Sequence, residues 1–133
     1  MLQAGLLLSG SAMAQPLPDD LNSDQIRAAI SGRVLAMRFA GTPISDPNYF
    51  GHWDFRADGT VCGRLIGSKP GTECADTGKW HVQDSTLCWQ FQWMAKSTGI
   101  NSVCGWVRKT RGDLHEIVDT TGKTGSTLFS IVK

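Results

Sequence analysis

The chain has 133 residues, 13 of them Lys or Arg and 12 Asp or Glu, for a net charge of +1. An apolar fraction of 41% excludes a disordered chain, and the even spread of charge leaves neither a basic stripe for nucleic acid nor an acidic tail. Past the first residues no apolar run approaches the ~20 that a membrane helix needs, and the length suits one domain.

Leu2 and Leu6-Leu7-Leu8 form a short apolar run that ends in Ala12-Met13-Ala14. This A-x-A ending predicts a signal peptide over residues 1–14, although no Lys or Arg precedes the run. The mature domain is then 15–133, in the periplasm or outside the cell. No cysteine follows the apolar run at once, so a lipoprotein anchor is not expected. Downstream lie four cysteines, Cys62, Cys74, Cys88 and Cys104. An even count behind an export signal predicts two disulfides.

Residues 15–20 read as an extended lead-in. Asn22 is placed as a helix N-cap, with Gln25 as its partner in a capping box and Leu21 and Ile26 as a hydrophobic staple. Ile26, Ala29 and Ile30 make one apolar stripe, and Gly32 stops the helix. So short a helix is marginal alone, and should pack on the open end or flank of a sheet.

Everything after Gly32 reads as β. Turn residues separate eight candidate strands at about 33–40, 48–56, 60–66, 77–82, 86–93, 101–108, 113–119 and 126–132. Short links favour an up-and-down antiparallel meander, and closure would remove its edges. The expected fold is all-β: an eight-stranded barrel, or a strongly curved sheet, with one short N-terminal helix.

Two hairpins have testable registers. A three-residue turn at Ala57-Asp58-Gly59, with Gly59 left-handed, pairs Arg56 with Thr60, Phe55 with Val61, Asp54 with Cys62 and Trp53 with Gly63. Tyr49, Trp53, Phe55, Val61 and Leu65 then face the core. His52, Asp54, Arg56, Cys62 and Arg64 face solvent. If Cys88 bonds Cys104, Trp89 faces Val103 and Leu87 faces Gly105. Leu87, Trp89, Phe91, Trp93, Val103 and Val107 then point inward. Both hairpins put cysteine on the outer face, which favours Cys62–Cys74 and Cys88–Cys104 among the three connectivities.

Motifs that carry chemistry are sparse. His52, His81 and His115 fall on the outward faces of different strands by alternation, and no C-x₂-C pair offers zinc ligands. Asp58 is accounted for as a turn former. Glu116 points inward beside Leu114 and Val118 in one register. A shift by one puts His115 and Ile117 inside instead. No nucleophile elbow or phosphate loop is present. No catalytic residue, metal site or cofactor is therefore assigned, and enzyme activity has no support.

The five tryptophans are more informative. Trp53, Trp80, Trp89 and Trp93 fall on inward faces, and Trp106 falls outward. Inward tryptophan fills a small barrel or lines a cavity for an apolar ligand. In the second case Trp53, Trp89, Phe91 and Trp93 form the wall, with Trp93 at the mouth. Trp106 lies under the N-terminal helix or in a contact patch for a partner.

Several segments together resemble a group of small secreted bacterial proteins with lipocalin-like β-barrels. They are Gly51-His52-Trp53 before Asp58-Gly59-Thr60, Gly78-Lys79-Trp80-His81-Val82, Leu87-Cys88-Trp89, Cys104 and Gly122, behind the Leu21–Gly32 helix. The G-x-W of lipocalins stands in the first strand, whereas here it falls in the second. The resemblance implies a fold and no active site. Two functions are expected from these readings. The first is non-catalytic binding of a small apolar or aromatic ligand in the barrel. The second is a protein-interaction module, an inhibitor or accessory subunit, with a filled barrel and Trp106 on its contact face.

Overall fold

The structure, a computed structural model, describes residues 15–39, 51–64, 71, 73–92, 103–121 and 126–132. Helix α1 (Ser23–Ile30) precedes strands β1 (Arg33–Phe39), β2 (Gly51–Phe55), β3 (Thr60–Gly63), β4 (Asp76–Gln83), β5 (Thr86–Phe91), β6 (Val103–Lys109), β7 (His115–Asp119) and β8 (Ser126–Ile131). Each strand pairs antiparallel with the next, and β8 pairs with β1 to close the barrel. Closure leaves no sheet edge to solvent.

The helix forms where its caps dictate. Asn22 Oδ1 accepts from Gln25 N at 2.9 Å, and Gln25 Oε1 accepts from Asn22 N at 2.8 Å. Each side chain thus satisfies a backbone donor that the first turn leaves open. Gly32 takes φ +76° and ends the helix, and its N–H donates to the Phe55 carbonyl at 2.7 Å. Ile26 and Ile30 are fully buried, which stabilises the docking by about 1.5–3 kcal/mol per side chain.

The helix closes one end of the barrel. Leu21 N donates to Val107 O at 2.8 Å, and Ser85 N donates to Ser23 Oγ at 2.9 Å. These contacts lie where β2–β3, β4–β5 and β6–β7 are joined by short turns. The other, longer links, β1–β2, β3–β4, β5–β6 and β7–β8, join the opposite strand ends.

Both hairpin registers stand as the sequence implies. Trp53, Asp54 and Phe55 pair with Gly63, Cys62 and Val61, and Arg56 N reaches Thr60 O at 2.9 Å. Gly59 has φ +91°. Asp58 accepts from Thr60 Oγ1 at 2.7 Å and Thr60 N at 2.9 Å, bonds that hold its carboxyl below the usual 3.8. Leu87, Cys88 and Trp89 pair with Gly105, Cys104 and Val103. The disulfides are Cys62–Cys74 and Cys88–Cys104, both on the outer face.

Two readings of outward faces are corrected. The outer face of β2 and β3 is covered: His52 is 8% exposed and Arg64 5%. Burial of the guanidinium is compensated by Asp54 Oδ1 at 2.7 Å from Nη1. On β7, His115, Ile117 and Asp119 point inward, and Glu116 is half-buried on the outside opposite Arg108. Of the two registers open for this strand, the one with His115 and Ile117 inside therefore stands, and the inward Glu116 and outward His115 of the other do not. Leu114 belongs to the preceding turn, where its N–H donates to Arg111 O at 3.0 Å, so it does not set the parity of the strand. Tyr49, Leu65 and Gly122 lie outside the described residues.

Candidate functional site

The barrel interior holds one continuous aromatic cluster. Trp53 comes from β2, flanked in register by Leu35 and Gly63. Trp89 comes from β5, flanked by Trp80 and Val103. Phe91 lies opposite Gly78. Trp53 meets Phe91 edge to face with centroids 4.9 Å apart, and meets Trp89 at 5.7 Å and 77°. Phe55 meets Trp80 at 5.7 Å and Trp89 at 6.4 Å, again edge to face. Such pairs add about 0.5–1.5 kcal/mol each beyond area burial.

Glycine makes room for these rings. A Cβ at Gly63 would stand 2.8 Å from Phe91 Cζ, so the ring occupies the place of a side chain on β3. At Gly78 a Cβ would run into the Gln90 carbonyl oxygen, and backbone cannot yield there. The interior is therefore packed by rings from β2, β4 and β5 lying over the bare backbone of neighbouring strands.

Three of the four expected wall residues come together: Trp53 is 5% exposed, Trp89 6% and Phe91 3%. Trp93 lies outside the described residues. Phe55 and Trp80 complete the cluster but were assigned to no wall, although alternation already pointed both inward. The Trp80 indole is satisfied by Arg56 O at 2.7 Å. Trp106 is elsewhere: it sits half-buried on the outer face of β6, opposite Val118.

Polar groups around the barrel are mostly engaged in holding it. The Arg108 guanidinium, on the outer face of β6, binds Asp20 through Nε at 2.8 Å and Nη2 at 3.0 Å. Burial alone would raise the Asp20 carboxyl. The Arg108 hydrogen bonds, the Leu17 N–H at 2.8 Å and the Arg108 charge outweigh it and hold the group below 3.8. Inward Asp119 accepts from Thr121 N and Oγ1, both at 2.9 Å, and so shapes the turn that ends β7. All four cysteines are bonded, which leaves no thiol as a nucleophile. Among the described residues no three His, Cys, Asp or Glu side chains converge as metal ligands.

Two hollows are present among the described residues, and the first has Phe91 of the aromatic cluster in its lining. A groove of about 580 Å³ crosses the outer face of β3, β4 and β5 beside Arg56, Lys79, Gln90 and Gln92. A cleft of about 470 Å³ lies between α1 and the β6–β7 turn. No helix in the described residues is long and apolar enough to cross a membrane. The chain matches no protein-family model, no curated protein and no solved structure.

Proposed function

We propose that the protein is an exported, non-catalytic binding protein that holds a small apolar or aromatic ligand against Trp53, Trp89 and Phe91. One observation carries this reading. The helix and three short turns occupy one end of the barrel, and the aromatic cluster runs from there toward the other end. Trp53 and Phe91 are its members farthest from the helix, and they meet edge to face, the geometry that aromatic rings prefer. The two disulfides suit an oxidising compartment, the periplasm or the exterior.

A second reading has its own support. The rings already touch one another, as in a filled barrel, and Trp106 holds a large apolar side chain at the outer surface. In that case the protein is an inhibitor or accessory subunit that contacts a partner through β6.

The two readings part under titration with naphthalene-type fluorescent probes, with energy transfer from tryptophan as the signal. Ligand binding predicts saturable transfer. Trp53→Phe keeps an apolar ring yet weakens binding by up to about tenfold, the scale of one aromatic contact. Trp106→Ser leaves binding unchanged. Absence of saturation with every probe rejects the binding reading.

A further inference from the structure

His115 is 7% exposed, yet it is an inward residue with polar work left undone. Its ring lies flat on Phe129, with centroids 4.9 Å apart and 10° between planes. Nδ1 lies 3.1 Å from the Asp113 carbonyl oxygen. A carbonyl only accepts, so Nδ1 carries the proton and the neutral ring has its lone pair on Nε2. No described group meets Nε2. No buried side-chain nitrogen among the described residues lacks a partner, so Nε2 is reached from outside. The way in is the 470 Å³ cleft that His115 lines.

The rest of that cleft is chemically sorted. Leu21, just before α1, and Ala28 and Ala29 on it make an apolar wall. Lys109 stands directly opposite His115 in the β6–β7 register, is exposed and forms no ion pair among the described residues. Paired positions of this kind hold their Cβ atoms about 5 Å apart, which brings a cation and a lone-pair acceptor side by side. Asp113 also lines the cleft, with its backbone carbonyl on the histidine. Gln25 also lines the cleft, but its side chain is engaged in the helix cap.

We propose that this cleft binds an apolar α-amino acid as its zwitterion. The ligand ammonium donates to His115 Nε2, the ligand carboxylate accepts from Lys109, and the apolar side chain lies on Leu21, Ala28 and Ala29. The two ligand charges sit on adjacent carbons, as the two protein groups sit on adjacent strands. A simple carboxylic acid leaves the Nε2 lone pair unmet, and a simple amine leaves Lys109 unmet. The site is at the helix-closed end and is independent of the aromatic interior.

The test is a titration of the ¹⁵N-labelled full chain with free leucine, isocaproate and isoamylamine, following the His115 ring by NMR. Leucine should shift the His115 Nε2 resonance saturably. Isocaproate and isoamylamine, each lacking one charge, should bind at least about tenfold more weakly, the least that loss of a charged hydrogen bond implies. Lys109→Gln and Ala28→Trp change exposed positions and should keep the fold. The first should weaken leucine binding about tenfold, and the second should block it. Equal binding of leucine and either analogue overturns the proposal. So does the absence of a saturable His115 shift with leucine, or unchanged binding in Ala28→Trp.

Discussion

Asp20 fastens the lead-in to the barrel, since both of its oxygens face Arg108 and one also receives the Leu17 N–H. Its carboxyl titrates below 3.8 in the folded chain, so its contribution to stability is present above that value. It is lost as pH falls through the lowered pKa. Asp20→Asn should cost about 1.5–3 kcal/mol at neutral pH in urea unfolding, the range for hydrogen bonds to charged groups. The gap between wild type and variant should close below pH 3.8. A gap that stays constant into acid would remove the carboxylate from this account. The importance of Asp20 was not legible in the sequence, because an ion pair between the lead-in and β6 leaves no local pattern. His115 was legible only as one of two parities. Apolar Leu114 argued for the wrong one, because a turn residue carries no information on which way a strand faces.

At the level of elements, local chemistry and periodicity agree, and most strands were readable for that reason. The capping box, the Gly59 turn and the placing of cysteines on the outer face all follow from short-range rules, and the last of these favoured the two disulfides that the structure shows. The β4–β5 turn is the exception to local consistency. Asp84 and Ser85 both have positive φ, 49° and 59°, in a two-residue link between paired Gln83 and Thr86. Such a turn favours Asn-Gly, because side chains clash in the left-handed region. Ser85→Gly keeps the N–H that donates to Ser23 Oγ and removes the Cβ. It should raise stability by about 0.5–1 kcal/mol in chemical denaturation. A loss of stability would mean that the Ser85 side chain makes a contribution larger than its backbone strain. The Gly63–Phe91 pair was foreshadowed less directly. Register placed glycine opposite Trp53, but the ring that covers it comes from β5, two strands away.

For the whole molecule, closure into a barrel with one plugged end is the fact from which function is argued. The helix uses Ile26 and Ile30 to complete a core that the strands alone would leave open to water. The aromatic cluster then extends from the closed end toward the longer connections, with Trp53 and Phe91 leading. Alternation in the sequence turned Trp53, Phe55, Trp80, Trp89 and Phe91 inward, where the structure has them. It could not show how the rings divide the interior among themselves, since that depends on the angles between strands far apart in the chain. Native mass spectrometry of the full chain, purified from its own host, tests the central claim most directly. The account predicts a retained small-molecule mass that Trp53→Phe diminishes and Trp106→Ser leaves in place. A bare chain, or one that carries a protein subunit lost on Trp106→Ser, would contradict it.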